Sequence, residues 1–150
     1  MSIEVNIEEW IFNTLSQSYP VFNDMPICPF AKQAWLDNKV YIKYNQEINT
    51  QEDVALLDYY EVIIYAYDPA DISPESLSAN AKQACGDQIV ALEDHPASKE
   101  EIQGISLNNG TYALILVQNR HKLEQARRVL DAKGYYDNWP EDYLDEVLSQ

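Results

Sequence analysis

The pairing Cys28-Pro29, inside Met25-Pro26-Ile27-Cys28-Pro29-Phe30-Ala31, is the strongest chemical signal in this chain. Proline is favoured at the first position of a helix, and it holds the residue before it in the extended region that an N-cap requires. The spacing therefore predicts Cys28 as the N-cap of a helix. A thiolate placed there is stabilised by unpaired backbone N–H groups and by the helix dipole, which is how cysteines acquire a lowered pKa. Cys28 is accordingly the candidate catalytic residue of a thiol-dependent enzyme or redox sensor; the alternative is a structural thiol packed beside Phe30 and Trp35. Cys85 shares a helical stripe with Leu77, Ala81 and Ala84 and reads as a small buried hydrophobe.

A second cluster, Glu93-Asp94-His95, has its only histidine companion at His121. With Asp68 or Asp71 it could gather carboxylates at strand ends. A transition-metal site normally uses several imidazole or thiolate ligands, whereas here two histidines and two cysteines are scattered over distant segments, with no HExxH or Cys-x-x-Cys spacing. No metal and no cofactor is assigned. The four glycines form neither a GxGxxG nor a P-loop pattern, and Gly104-Ile105-Ser106-Leu107 lacks the second glycine of a serine-nucleophile elbow.

Charge narrows the partners. With 25 acids against 10 bases the formal net charge is −15, which repels phosphate at long range and leaves no Lys/Arg cluster as a nucleic-acid footprint. Direct binding of nucleic acid or of an anionic membrane is excluded on that reading, and a protein partner with a basic surface is favoured. An acidic mimic of nucleic acid belongs to the same class. The tail residues Glu141, Asp142, Asp145 and Glu146, with Tyr143 among them, are the candidate binding face. Eleven tyrosines supply rings that serve equally at interfaces and at core edges.

Cys-Pro-x-x at a helix start is also the local arrangement of thioredoxin-like redox sites, although Ala31 replaces the second cysteine and no strand feeds Cys28 onto the helix. The segment Ile27-Cys28-Pro29-Phe30-Ala31-Lys32, after a leading helix and before a short strand, resembles an uncharacterised family of small bacterial proteins sharing a Cys-Pro-Phe-Ala motif. The likeness covers at most the first half of the chain, together with Asp94-His95-Pro96 at a strand end, and the acidic C-terminal third departs from it. It implies that Cys28, Pro29 and Phe30 matter to the domain, and no activity.

The elements that must position these residues are organised around two apolar runs of strand length, Glu61 to Tyr67 and Tyr112 to Val117, which should lie side by side in one sheet. Shorter strands are predicted over 40–44 and 89–93. Asn6-Ile7-Glu8-Glu9 has the form of a capping box, with Val5 and Trp10 as a hydrophobic staple and Ile7, Trp10, Ile11 and Leu15 as the buried stripe of the helix. Thr50 caps a short helix carrying Val54 and Leu57; Ser73-Pro74-Glu75 opens another; Ser98-Lys99-Glu100-Glu101 is a capping box for a brief third. From Asn119 an amphipathic helix follows with Leu123, Ala126, Val129 and Leu130 on its stripe, ended by Gly134 in the left-handed conformation with Tyr135 folded back on Leu130. The tail from Trp139 forms a helix too short to stand alone, docked through Tyr143, Leu144, Val147 and Leu148.

These elements predict one α+β domain over 1–150, with 139–150 as a docked C-terminal helix and a four-stranded, mostly antiparallel sheet whose nearest common plan is ferredoxin-like, helices against one face. Met1-Ser2-Ile3-Glu4 carries no basic or apolar signal region, no apolar run approaches the ~20 residues of a membrane span, and free thiols fit a reducing compartment. The reading is a non-catalytic, acidic, cytoplasmic protein that acts by macromolecular binding, with thiol chemistry at Cys28 as the alternative.

Overall fold

Val62–Tyr67 and Ala113–Asn119 pair antiparallel in the middle of a four-stranded sheet in the computed structural model, which describes residues 2–98, 101–102 and 105–148, without the side chains of 101, 102 and 146–148. In chain order the elements are α1 (Ile3–Trp10), prolonged by a π-helical turn over Ile11–Leu15, β1 (Ser18–Tyr19), β2 (Met25–Pro26), α2 (Ala31–Leu36) and β3 (Val40–Tyr44). They continue with α3 (Thr50–Leu56), β4 (Val62–Tyr67), α4 (Pro74–Ala84), β5 (Ile89–Asp94), β6 (Glu101–Ile102), β7 (Ile105–Ser106), β8 (Ala113–Asn119), α5 (Arg120–Ala132) and α6 (Glu141–Leu148).

The main sheet has the order β3-β4-β8-β5, with β3 parallel to β4 and the other two pairings antiparallel. The fold is α+β. Its connectivity differs from the ferredoxin-like β-α-β-β-α-β plan, because two helical crossovers follow in succession, β3-α3-β4 and β4-α4-β5, and β8 then inserts between β4 and β5.

Helices cover both faces rather than one. On the first face Ile63, Tyr65, Ile115, Val117 and Ala91 pack under Leu77, Ala81 and Ala84 of α4 and Leu57 at the end of α3. On the second, Ile64, Ala66 and Leu114 meet Ile7, Trp10 and Ile11. Buried on both sides, the central strands need no polar face, which is why their sequences run apolar without alternation. A third cluster joins Val21, Phe22 and Ile27, around the β1–β2 ribbon, to Leu130, Tyr135 and Tyr136, with Trp139, Tyr143 and Leu144 packed against it.

Several helix starts differ from the capping patterns. The first helix begins at Ile3 with Ser2 as N-cap, whose hydroxyl accepts from the Val5 N–H; Asn6 lies inside the helix and accepts instead from the Asn109 amide, and Val5 is left exposed rather than stapled to Trp10. Asn49 rather than Thr50 caps α3, accepting from the Glu52 N–H. Ser73 and Asn119 cap α4 and α5. The capping box at Ser98 does not open a helix: Glu101 pairs with Ser106 in the β6–β7 ribbon, while Lys99 and Glu100 lie outside the described residues. Gly134 adopts φ +81°, and the Tyr135 N–H donates to the Leu130 carbonyl, turning the chain after α5 back on the helix. Among the described residues no helix is long and apolar enough to cross a membrane.

Candidate functional site

Cys28 does not cap α2. The helix begins at Ala31 with Phe30 at the cap position, and Cys28 precedes it in a turn closed by the Ala31 N–H donating to the Cys28 carbonyl. Part of the anticipated environment survives, since the thiol receives the N–H groups of Phe30 and Ala31. Burial outweighs them: desolvation pushes the Cys28 thiol above its ordinary value, while the two backbone donors pull more weakly downward. The neutral thiol is the favoured form. No imidazole stands ready as a base, because His121 is exposed in the first turn of α5 and the ring of His95 is engaged elsewhere.

His95 is held by the backbone on both sides. Its Nδ1 accepts from the Ala97 N–H at 3.0 Å, which places the ring proton on Nε2, and Nε2 donates to the Ile72 carbonyl at 2.7 Å. A neutral ring with both nitrogens occupied has no lone pair for a cation. Asp94 beside it accepts from the Asn109 N–H and from the Asn108 side-chain amide; burial raises its pKa and these donors counter the rise. Asp68 closes a turn on the Ala70 N–H. Among the described residues no group of three or more His, Cys, Asp and Glu side chains gathers as for a metal ion.

The tail residues divide. Glu141, Asp142 and Asp145 are exposed on the outer side of α6, whereas Tyr143 turns inward, its ring 5.3 Å from that of Trp139. The side chains of Glu146, Val147 and Leu148 lie outside the described residues.

What the fold does bring together is a cleft of about 730 Å³ between the second face of the sheet and the helix α5. The sheet contributes Val62, Ile64, Leu92 and Leu116; α5 contributes Leu123, Ala126, Arg127 and Leu130; Cys28, Tyr135, Tyr136, Trp139 and Tyr143 complete the inner wall. The exposed side chains Phe30, Gln33, Asp37, Glu61 and Lys122 form its rim. The helix therefore lies over the sheet without filling the space beneath it. Val129, assigned to the buried stripe from its spacing, is 47% exposed, and the position that points inward beside Ala126 is Arg127.

Arg127 was not singled out by the chemistry of its residue type. Its place in the sequence carries a signal all the same, since 123, 126, 127 and 130 follow the i, i+3, i+4, i+7 spacing of one helical face, so a cation stands where an apolar side chain belongs. Desolvation lowers the pKa of its guanidinium, and Arg120 lowers it further, against Tyr136 and Glu124. It makes no hydrogen bond or ion pair among the described residues. Trp139 adds a second unmet donor, its indole N–H being buried without a partner among the described residues. Tyr135, by contrast, donates its hydroxyl to the Ile27 carbonyl and braces the wall.

No protein-family model matches the chain, and no similarity to curated proteins or to solved structures is found.

Proposed function

We propose that this chain is a binding protein that takes a small, largely apolar molecule into the cleft between its sheet and α5, without catalysis. The observation that carries the reading is the cleft itself: about 730 Å³, with Trp10, Leu92, Leu116, Leu123 and Leu130 in its inner wall and charged and amide side chains such as Gln33, Asp37, Glu61 and Lys122 at its rim. Ligand sites are concave, mostly apolar spaces of roughly 300–1,000 Å³ with a small number of placed polar side chains. Cys28 stands in the wall, but a thiol kept neutral by burial and lacking a base is a poor nucleophile. Titration with the neutral fluorophore N-phenylnaphthylamine tests the reading. Saturable, one-to-one binding is expected, and it should be lost in Ala126→Trp, which fills the cleft, with an unchanged circular dichroism spectrum. Wild-type protein giving no saturable signal would remove the proposal.

A second reading, binding of a macromolecule with a basic surface, is supported by the net charge of −15 and by the outward placement of Glu141, Asp142 and Asp145 on a helix whose inner side is already occupied. The two readings concern different faces and are compatible.

A further inference from the structure

We infer that the cleft selects amphipathic anions, molecules with an apolar body and a single carboxylate-type headgroup, and that Arg127 is the residue that holds the headgroup. This rests on the proposal that the cleft takes a ligand, and goes beyond it in naming the ligand's charge.

The argument starts from what a half-buried arginine requires. Burying a guanidinium is costly unless its charge is met, and native proteins meet it with a carboxylate, a phosphate or a set of carbonyl acceptors. Here none of these engages it among the described residues. Among the described residues the carboxylate that bears on its charge is that of Glu124, one turn earlier on the same helix and exposed to solvent. The other anionic side chains of the cleft are committed or peripheral: Asp94 accepts from Asn108 and Asn109, Asp37 accepts from Gln33, and Glu61 stands exposed on the rim. Glu93 also borders the space, from the edge strand.

The neighbours of Arg127 are suited to a headgroup rather than to a cation. The left-handed turn at Gly134 returns the chain to α5, bringing Tyr136 and Trp139, with ring centroids 4.9 Å apart, into the same wall. Both side chains are hydrogen-bond donors, and the indole N–H of Trp139 has no acceptor among the described residues. A planar guanidinium receives a carboxylate through two parallel hydrogen bonds, which a neutral hydroxyl cannot reproduce. The apolar body then lies along Leu92, Leu116 and Leu123. A ligand amine seated in the same place would face Arg127 with like charge.

The net charge of −15 works against any anion at long range, and salt screens that repulsion more effectively than it screens a contact pair inside the cleft. The affinity of the anion should therefore rise, or stay level, between low and moderate salt.

The test is displacement of N-phenylnaphthylamine from the whole chain by dodecanoate, dodecanol and dodecylamine, each below its micelle or solubility limit. In the wild type dodecanoate should compete at about tenfold lower concentration than dodecanol, the ratio that one charge-assisted hydrogen bond pair supplies, and dodecylamine should be the weakest. In Arg127→Met the advantage of dodecanoate over dodecanol, read as their ratio within the variant, should vanish; Arg127→Lys should restore part of it. Equal competition by dodecanoate and dodecanol in the wild type overturns the anion assignment and leaves the cleft standing. Loss of fluorophore, acid and alcohol together in both variants overturns it too, by making Arg127 a residue that shapes the cleft. Absence of fluorophore binding in the wild type instead sinks the underlying proposal.

Discussion

Lys43 donates to Asp53 at 2.8 Å where solvent scarcely reaches, Lys43 being 3% exposed and Asp53 fully buried. The ammonium also donates to Glu52 at 2.6 Å and to the Tyr65 hydroxyl at 3.1 Å, and Tyr65 in turn donates to the other Asp53 oxygen at 2.7 Å. Each polar group in this knot is answered. It joins the edge strand β3 to α3 and to the central strand β4, and it stabilises a charged pair that would be ruinous if half removed.

Asp53→Ala should cost about 3–5 kcal/mol, because it strands a buried ammonium, and the paired change Lys43→Met with Asp53→Leu should recover most of that loss in urea denaturation. The pH dependence has a definite sign. The Lys43 pKa is raised above its ordinary value: burial lowers it, and the hydrogen bonds that the ammonium donates to Asp53, Glu52 and Tyr65 together raise it further than burial depresses it. A lysine raised in the folded state contributes stability that is complete below the unfolded value of ~10.4 and is lost as pH climbs through the higher folded value. Wild type and the double variant should therefore show parallel stability profiles from pH 7 to about 10 and diverge only above it.

Cys28 should label slowly in the native state at pH 6, with alkylation followed by mass spectrometry, because burial favours the neutral thiol. Its raised pKa means that the unfolded chain releases the thiol proton first, so stability should fall slightly as pH passes about 8.5, and Cys28→Ser should abolish that fall. Fast native labelling at pH 6 would instead move thiol chemistry from the alternative to the leading function.

Truncation before Trp139 should lower the melting temperature. Trp139 lies 5.5 Å from Phe22 and 5.4 Å from Tyr135 between ring centroids, and Tyr143 and Leu144 extend the same cluster. Trp139→Ala alone should cost about 2–3 kcal/mol, below the usual 3–5 for a fully buried tryptophan, since this one is half-buried and carries an unmet donor. An unchanged melting temperature would detach α6 from the fold.

Neutralising Glu141, Asp142 and Asp145 together should leave the melting temperature within about 1 °C, as exposed charges contribute little. If a basic partner uses this face, its affinity should fall steeply between 0.1 M and 1 M salt, over which the Debye length shrinks from ~10 to ~3 Å, and the triple variant should flatten that slope.

The central strands were legible because burial on both faces leaves an unbroken apolar run, and α4 and α5 because cap, stripe and stop agree within one segment. Less legible was anything decided by a partner distant in sequence. Asp53 looks like a solvated first-turn acid until Lys43 and Tyr65 are placed beside it. Asn6 resembles an N-cap, yet Ser2 captures the helix start and Asn6 is drawn to Asn109, 103 positions away. The β1–β2 ribbon is only two residues long on each side and has no alternation to read. For the cleft, the stripe of α5 revealed the inward-facing side of the helix, but sequence spacing cannot tell whether the sheet beneath comes close enough to fill the space. Arg127 was the available hint, a cation on an apolar face.

The position of β8 has a consequence for how the chain reaches this structure. The strands β4 and β5 run parallel with a gap of one strand between them, and the strand that closes the gap comes last of the four in sequence. When residues up to Asp94 have left the ribosome, β4 has an unpaired edge and β5 has no neighbour at all. About two thirds of the residue pairs of the sheet thus wait for residues 113–119 to emerge, and non-local closure of this kind is slow, commonly milliseconds to seconds. During that interval the apolar edge of β4 is a template for the wrong strand, from this chain or another. The high negative charge that keeps the finished molecule apart would already be keeping its unfinished copies apart.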